Sequence, residues 1–178
     1  MELLAFNPGK TEEIIQLYIK AFSDSEGQDE GEIIGTLSSE LIKHTDPQDL
    51  YGFVATENKQ IIGSIFFSRL TFQNGVHAFM LSPVAIKTEC QGKHAGQKLI
   101  NFGISRLKEN GVELLFTYGD PAYYSKVGFQ KISEDIAKAP FKLSHPEGWL
   151  AQSLHNDKIE PIVGKPCCVD AFNKPGYW

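Results

Sequence analysis

The residues best placed to do chemistry lie in two short stretches. The first is Gln91-Gly92-Lys93-His94-Ala95-Gly96, which follows the apolar run Val84-Ala85-Ile86. Behind it, Leu99, Ile100, Gly103, Ile104 and Leu107 recur at three- and four-residue spacing until Gly111, so the pattern predicts a helix from about Lys93 to Asn110. The opening amides of a helix have no internal partners and carry partial positive charge. With Lys93 they make a site for an anion, and the glycines let a phosphate approach the backbone. The spacing is neither the Gly-x-Gly-x-x-Gly of a dinucleotide fold nor a Gly-Lys-Ser/Thr triphosphate loop.

The second stretch is Gly119-Asp120-Pro121-Ala122-Tyr123-Tyr124-Ser125-Lys126-Val127-Gly128-Phe129, after the strand-like Val112–Tyr118 run. Asp before Pro reads as an N-cap followed by a first-turn proline, and Gly128 as a helix stop. A short helix therefore carries Tyr123 and Tyr124. Adjacent helical residues point about 100° apart, so at most one of the two faces a given ligand.

Together the stretches resemble the GNAT superfamily of acyl-CoA-dependent N-acyltransferases. Gln91 and Gly96 match its Gln/Arg-x-x-Gly-x-Gly/Ala pyrophosphate loop, with His94 in place of the middle glycine. Tyr124, Gly128 and Phe129 match its Tyr-x-x-x-Gly-Phe signature, and the Gly-Asp-Pro-x-Tyr-Tyr run resembles a branch of small bacterial members. The resemblance implies acetyl-CoA as co-substrate. It assigns cofactor binding to Val84, Ala85 and Ile86 through backbone groups, and to Gln91, Gly92, Lys93, His94, Ala95, Gly96 and Tyr124. His94 is expected to add a donor to the pyrophosphate.

Aminolysis of a thioester needs a neutral amine, a stabilised oxyanion and a proton for the departing thiolate. Tyr124 is the candidate general acid, because a phenol is a donor at neutral pH. Glu32 is the candidate base, from the acids Asp24, Glu26, Asp29, Glu30 and Glu32, which are read as the connection between two helices. Thr117 stands where many family members carry an asparagine that binds the cofactor arm. The expected reaction is acetyl transfer to a primary amine of a small molecule or peptide, by direct attack in a ternary complex. A non-catalytic acyl-CoA-binding or sensing module on the same fold is the second reading, and Tyr124 separates the two.

The elements that must position these residues read as a single domain, 1–178, of the α/β (α+β) class. Glu2–Phe6 reads as a strand, Ile14, Leu17, Tyr18, Ala21 and Phe22 as the stripe of a first helix, and Ile34, Leu37 and Leu41 as that of a second. Leu50–Glu57, Gln60–Phe72 and Val76–Ile86 read as an antiparallel meander with turns at Asn58 and Asn74-Gly75. Trp149–Leu154 and Ile159–Phe172 are expected to add strands. The resemblance implies a mixed, mostly antiparallel sheet of about six to seven strands, flanked by helices, with a parallel, splayed fourth and fifth pair.

The 178 residues, 42% hydrophobic, suit one substantial core. A net charge of -5 with scattered Lys and Arg argues against nucleic acid and favours a cationic acceptor. Short apolar runs and the absence of a signal-peptide pattern argue for a cytoplasmic protein without membrane contact. Cys90, Cys167 and Cys168 lack zinc or redox spacing, and the five histidines lack ligand spacing, so no metal is expected. Phe172, Tyr177 and Trp178 are expected to cover the sheet, with a homodimer contact as the alternative.

Overall fold

Two helices belong to the first of two units into which the chain divides. The computed structural model describes residues 1–156 and 158–178. The first unit comprises Met1–Phe67 and Pro83–Ile104, the second Ser68–Ser82 and Ser105–Trp178. Helix α1 runs from Thr11 to Glu26 and buries Ile14, Leu17, Tyr18 and Ala21; α2 runs from Gln28 to His44 and buries Leu37 and Leu41. A single residue, Gly27 at φ +102°, joins them. The acids read as a connecting loop therefore lie in helices, Asp24 and Glu26 in α1 and Asp29, Glu30 and Glu32 in α2. The helix continues past Phe22 because Lys20 pairs with Asp24 one turn on, at 3.1 Å, and only glycine takes the backbone angle at position 27 cheaply.

Strands β1 (Glu2–Ala5), β2 (Leu50–Glu57), β3 (Gln60–Thr71) and β4 (His77–Ile86) follow the expected meander. β1 pairs antiparallel with β2, Leu3 opposite Ala55. Asn58 and Lys59 both take positive φ, the backbone of a twist-compatible hairpin turn between β2 and β3. Helix α3 runs from Ala95 to Glu109, two residues later than its periodicity predicts. Gly92 at φ +73° and His94 at φ +60° keep the preceding residues out of the helix. Gly103 lets α3 close on Ile65, Phe67 and Phe53, since a methyl there would meet Phe67 at 2.6 Å.

In the second unit β5 (Leu114–Tyr118) runs parallel to β4, with Ala78, Phe79 and Met80 opposite Leu114, Leu115 and Phe116. β6 (Gln130–Lys131) and β7 (Trp149–Ser153) are antiparallel to each other, and β7 is antiparallel to β5. The hydrogen-bonded order is β1-β2-β3-β4-β5-β7-β6, and β8 (Cys167–Cys168) adds to β3 as the eighth strand. The long strand expected over Ile159–Phe172 shrinks to those two residues. Pro161 and Pro166 lack donors and Gly164 sits at φ +95°, so the segment cannot sustain a ladder. Trp149 stacks on Phe116 at 5.3 Å, and buried Trp178 donates its indole N–H to the Phe172 carbonyl at 3.0 Å. The aromatic tail thus packs into its own unit. Among the described residues no helix is long and apolar enough to cross a membrane.

Candidate active site

The anion loop belongs to the first unit. β4 passes through Val84, Ala85 and Ile86 into the one-turn helix Thr88–Cys90, closed by Cys90 N–H on the Lys87 carbonyl at 2.8 Å. The chain then turns through Gln91, Gly92, Lys93 and His94, all exposed, into α3, where Ala95 and Gly96 are buried. Lys98 N–H donates to the His94 carbonyl at 3.0 Å, so His94 is the residue at which the helix begins.

A helical dihedral at position 94 would make the missing glycine immaterial. His94 instead adopts the left-handed conformation that the glycine of the pattern takes freely. Its Nδ1 lies 3.1 Å from Gln97 Oε1; an amide oxygen only accepts, so this bond takes a proton on Nδ1, and Nε2 is a donor to an anion in the doubly protonated ring. The ring thus compensates part of its backbone cost by engaging the first turn.

Gln91 works first on the protein itself. Its Nε2 donates to the Ile86 carbonyl at 3.0 Å and folds the loop back on the end of β4. Lys93 Nζ reaches the Glu89 carbonyl at 3.3 Å. Lys87 N–H donates to the Ile62 carbonyl on β3, so the two-residue alternation of a strand turns Ala85 towards β3 and turns the backbone of Val84 and Ile86 to the opposite edge. Of the three backbone positions expected to meet a ligand, Val84 and Ile86 present their amides away from β3 and Ala85 does not.

Tyr124 belongs to the second unit. The short helix α4, Pro121–Tyr124, is capped by Asp120, whose carboxylate accepts from Ala122 N–H at 2.8 Å, and the turn ends at Gly128, φ +94°. The Tyr124 ring lies against Gly119, where a methyl would meet its Cε2 at 2.7 Å, and stands edge-on to Phe129 at 5.9 Å. Burial pushes the phenol up to about 12, with the adjacent Thr117 hydroxyl pulling the other way. Tyr123 is also raised by burial, less far. Thr117 is fully buried and donates to the Leu81 carbonyl at 3.0 Å.

Glu32 is an exposed α2 residue whose carboxylate accepts from Gln28 Nε2 at 3.1 Å. Asp24 does more than the sequence suggests: Thr88 Oγ1 donates to it at 2.6 Å. That bond first, and Lys20 second, hold its carboxyl below the usual range. Among the described residues no three His, Cys, Asp or Glu side chains cluster as metal ligands. The three cysteines are free thiols. The Thr88–Asp24 bond, the close seat of Tyr124 on Gly119 and the Thr117–Leu81 bond escape sequence reasoning. Only Thr117, read at the asparagine position, carried a signal.

The Acetyltransferase (GNAT) domain model matches residues 48–131. The uncharacterized N-acetyltransferase YhbS of Escherichia coli K12 is 33% identical over 125 residues, spanning 69% of this chain and 74% of YhbS. The uncharacterized N-acetyltransferase YjhQ of the same strain is 28% identical over 140 residues, 75% of this chain and 77% of YjhQ. The crystal structure of Escherichia coli YhbS in complex with CoA has the same fold, at TM-score 0.80 and 22% identity over 97% of this chain and 92% of that one. A GNAT family acetyltransferase from Brucella melitensis, in complex with acetyl-CoA, aligns at TM-score 0.69 and 25% identity, covering 96% of this chain and 97% of that one.

Proposed function

This chain belongs to the GNAT acetyltransferase family of acyl-CoA-dependent enzymes, and from that premise we propose that it transfers the acetyl group of acetyl-CoA to a primary amine of a small molecule or peptide, by direct attack in a ternary complex. The observation that carries the reading is Tyr124, a phenol kept protonated to about pH 12 on a capped helix that ends in left-handed Gly128. The complexes of YhbS with CoA and of the Brucella protein with acetyl-CoA support the choice of co-substrate.

In this reading the amides of Gly92 to Gly96 and the Lys93 ammonium hold the pyrophosphate, and His94 adds an Nε2–H donor when its ring carries both protons. The neutral amine forms a bond to the thioester carbon, and the carbonyl electron pair moves onto oxygen, where the Val84 and Ile86 amides receive it. Collapse breaks the C–S bond. A thiol ionises near pH 8.5, well below this phenol, so Tyr124 acts chiefly by donating a hydrogen bond to the developing thiolate. The proton that ends on sulfur is made good through the phenol from solvent. Glu32 takes the proton of the amine, through water given its exposure. The products are the acetamide and free coenzyme A.

The test is release of coenzyme A from acetyl-CoA across polyamines, amino acids, aminoglycosides and basic peptides, after calorimetric measurement of cofactor binding. Acceptor-dependent release is expected, with Tyr124→Phe slower by about 100-fold or more and its cofactor affinity retained. Glu32→Gln is expected to lower kcat with cofactor affinity retained. Binding without turnover on any acceptor would replace the enzyme with an acyl-CoA-binding module.

A further inference from the structure

Four exposed residues, Gln91 to His94, make up the turn that is to hold an anion, and two of them need positive φ. Such a segment has little burial to fix it. If it orders only when ligand arrives, the backbone entropy lost there is taken from affinity. The structure fixes the turn beforehand from two sides. On the strand side Gln91 Nε2 donates to the Ile86 carbonyl. On the helix side Thr88, at the start of the one-turn helix leading into the loop, donates its one hydroxyl proton at 2.6 Å to Asp24 in the closing turns of α1. Gln91 N–H donates in turn to the Thr88 carbonyl at 3.2 Å, so Thr88 touches both α1 and the first loop residue.

We infer that Asp24 and Thr88 form a positioning pair that holds the anion loop in its binding shape, so that the carboxylate of α1 governs affinity for the cofactor without touching it. The charge of Asp24 makes the assignment sharp, because a carboxylate near an anion loop repels the ligand. Its presence there is explained by the bond it accepts, and Lys20 Nζ at 3.1 Å offsets the charge. The inference rests on the loop being the pyrophosphate site proposed above.

The experiment measures the dissociation constant for free coenzyme A, KM for acetyl-CoA, kcat, and amide exchange of the ligand-free protein in wild type, Thr88→Val, Thr88→Ser, Asp24→Ala and the Thr88→Val/Asp24→Ala double variant. Thr88→Val and Asp24→Ala are each expected to weaken binding and raise KM about fivefold, the effect of one charge-assisted hydrogen bond at an exposed site, with kcat at saturation unchanged. The double variant is expected to be no weaker than either single one, and Thr88→Ser to stay within about twofold of wild type. Exchange over residues 88–96 is expected to quicken in Thr88→Val before any ligand is added. Wild-type affinity in Thr88→Val, additive losses in the double variant, or unchanged exchange each overturns the pairing. Wild-type protein that does not bind coenzyme A overturns the pyrophosphate reading itself, and with it the role in affinity, while exchange still reports whether the pair holds the loop.

Discussion

Thr117 Oγ1 donates to the Leu81 carbonyl at 3.0 Å, one residue beyond Met80 and Phe116, the last backbone pair of the parallel β4–β5 ladder. A side chain thus takes over where the backbone pairing stops. The donor is fully buried and its oxygen lies next to the Tyr124 phenol. Many members of the family carry an asparagine at this position, and here a single hydroxyl ties the end of the ladder.

Thr117→Val keeps the shape and removes the hydroxyl. It is expected to cost about 1–2 kcal/mol in urea denaturation, the worth of a buried hydrogen bond whose acceptor stays behind. Thr117→Ser should recover most of that loss. Equal stability of the Val variant and wild type would mean that the bond contributes nothing at the end of the ladder.

The Tyr124 phenol also leaves a signature in alkaline stability. Its folded-state pKa of about 12 lies above its ordinary value of 10.0, because burial disfavours the phenolate. Below pH 10 both states are protonated and the contribution is whole. As pH rises towards 12 the unfolded chain loses the proton first, and the contribution is lost. Wild type should therefore lose about 2 kcal/mol more than Tyr124→Phe between pH 10 and pH 12, read from urea midpoints. Parallel curves for the two proteins would refute the buried phenol. The same protonation predicts no alkaline fall in kcat below pH 10 arising from Tyr124.

His94 combines a backbone role with a ligand role, and two substitutions separate them. At φ +60° alanine carries the left-handed penalty of about 1 kcal/mol and glycine does not, so His94→Ala should be measurably less stable than His94→Gly. Both lose the ring, so both should bind acetyl-CoA at least about threefold more weakly, the effect of one hydrogen bond. A His94→Gly protein that binds as tightly as wild type would leave His94 as a helix-start residue only.

What sequence reveals here follows the range of the interaction. The Tyr124 helix is legible because Asp120-Pro121 and Gly128 are local signals that act within one turn. β2 is legible to the residue because its strand-forming run ends at Asn58, which tolerates positive φ. The start of α3 is not, since amphipathic spacing extends over Lys93 and His94 while the backbone of His94 turns left-handed. The acidic stretch reads as a loop because charge density masks an i,i+4 Lys20–Asp24 pair and a one-residue corner. The bond between Asp24 and Thr88 spans 64 residues, and no local pattern encodes it. The loop and the tyrosine that define the candidate site were thus visible, and the groups that hold them in place were not.

Gly119 offers the cleanest test of where the Tyr124 ring must lie. Its φ is not in the left-handed region, so alanine carries no backbone penalty, and Gly119 N–H keeps its bond to the Gly148 carbonyl at 3.0 Å. The added methyl, however, would come within 2.7 Å of Tyr124 Cε2, closer than carbon atoms pack, so the ring must shift. A displacement of the phenol by a fraction of an ångström lengthens its hydrogen bond to the departing sulfur while leaving the anion loop untouched. Gly119→Ala should therefore lower kcat about tenfold or more, with the dissociation constant for coenzyme A within about twofold of wild type. In a Tyr124→Phe background the same substitution should have almost no further effect on kcat, because the group it displaces has already lost its hydroxyl. Additive losses in the double variant would show that Gly119 acts on turnover by a route other than the tyrosine, and would remove the ring's position from the mechanism.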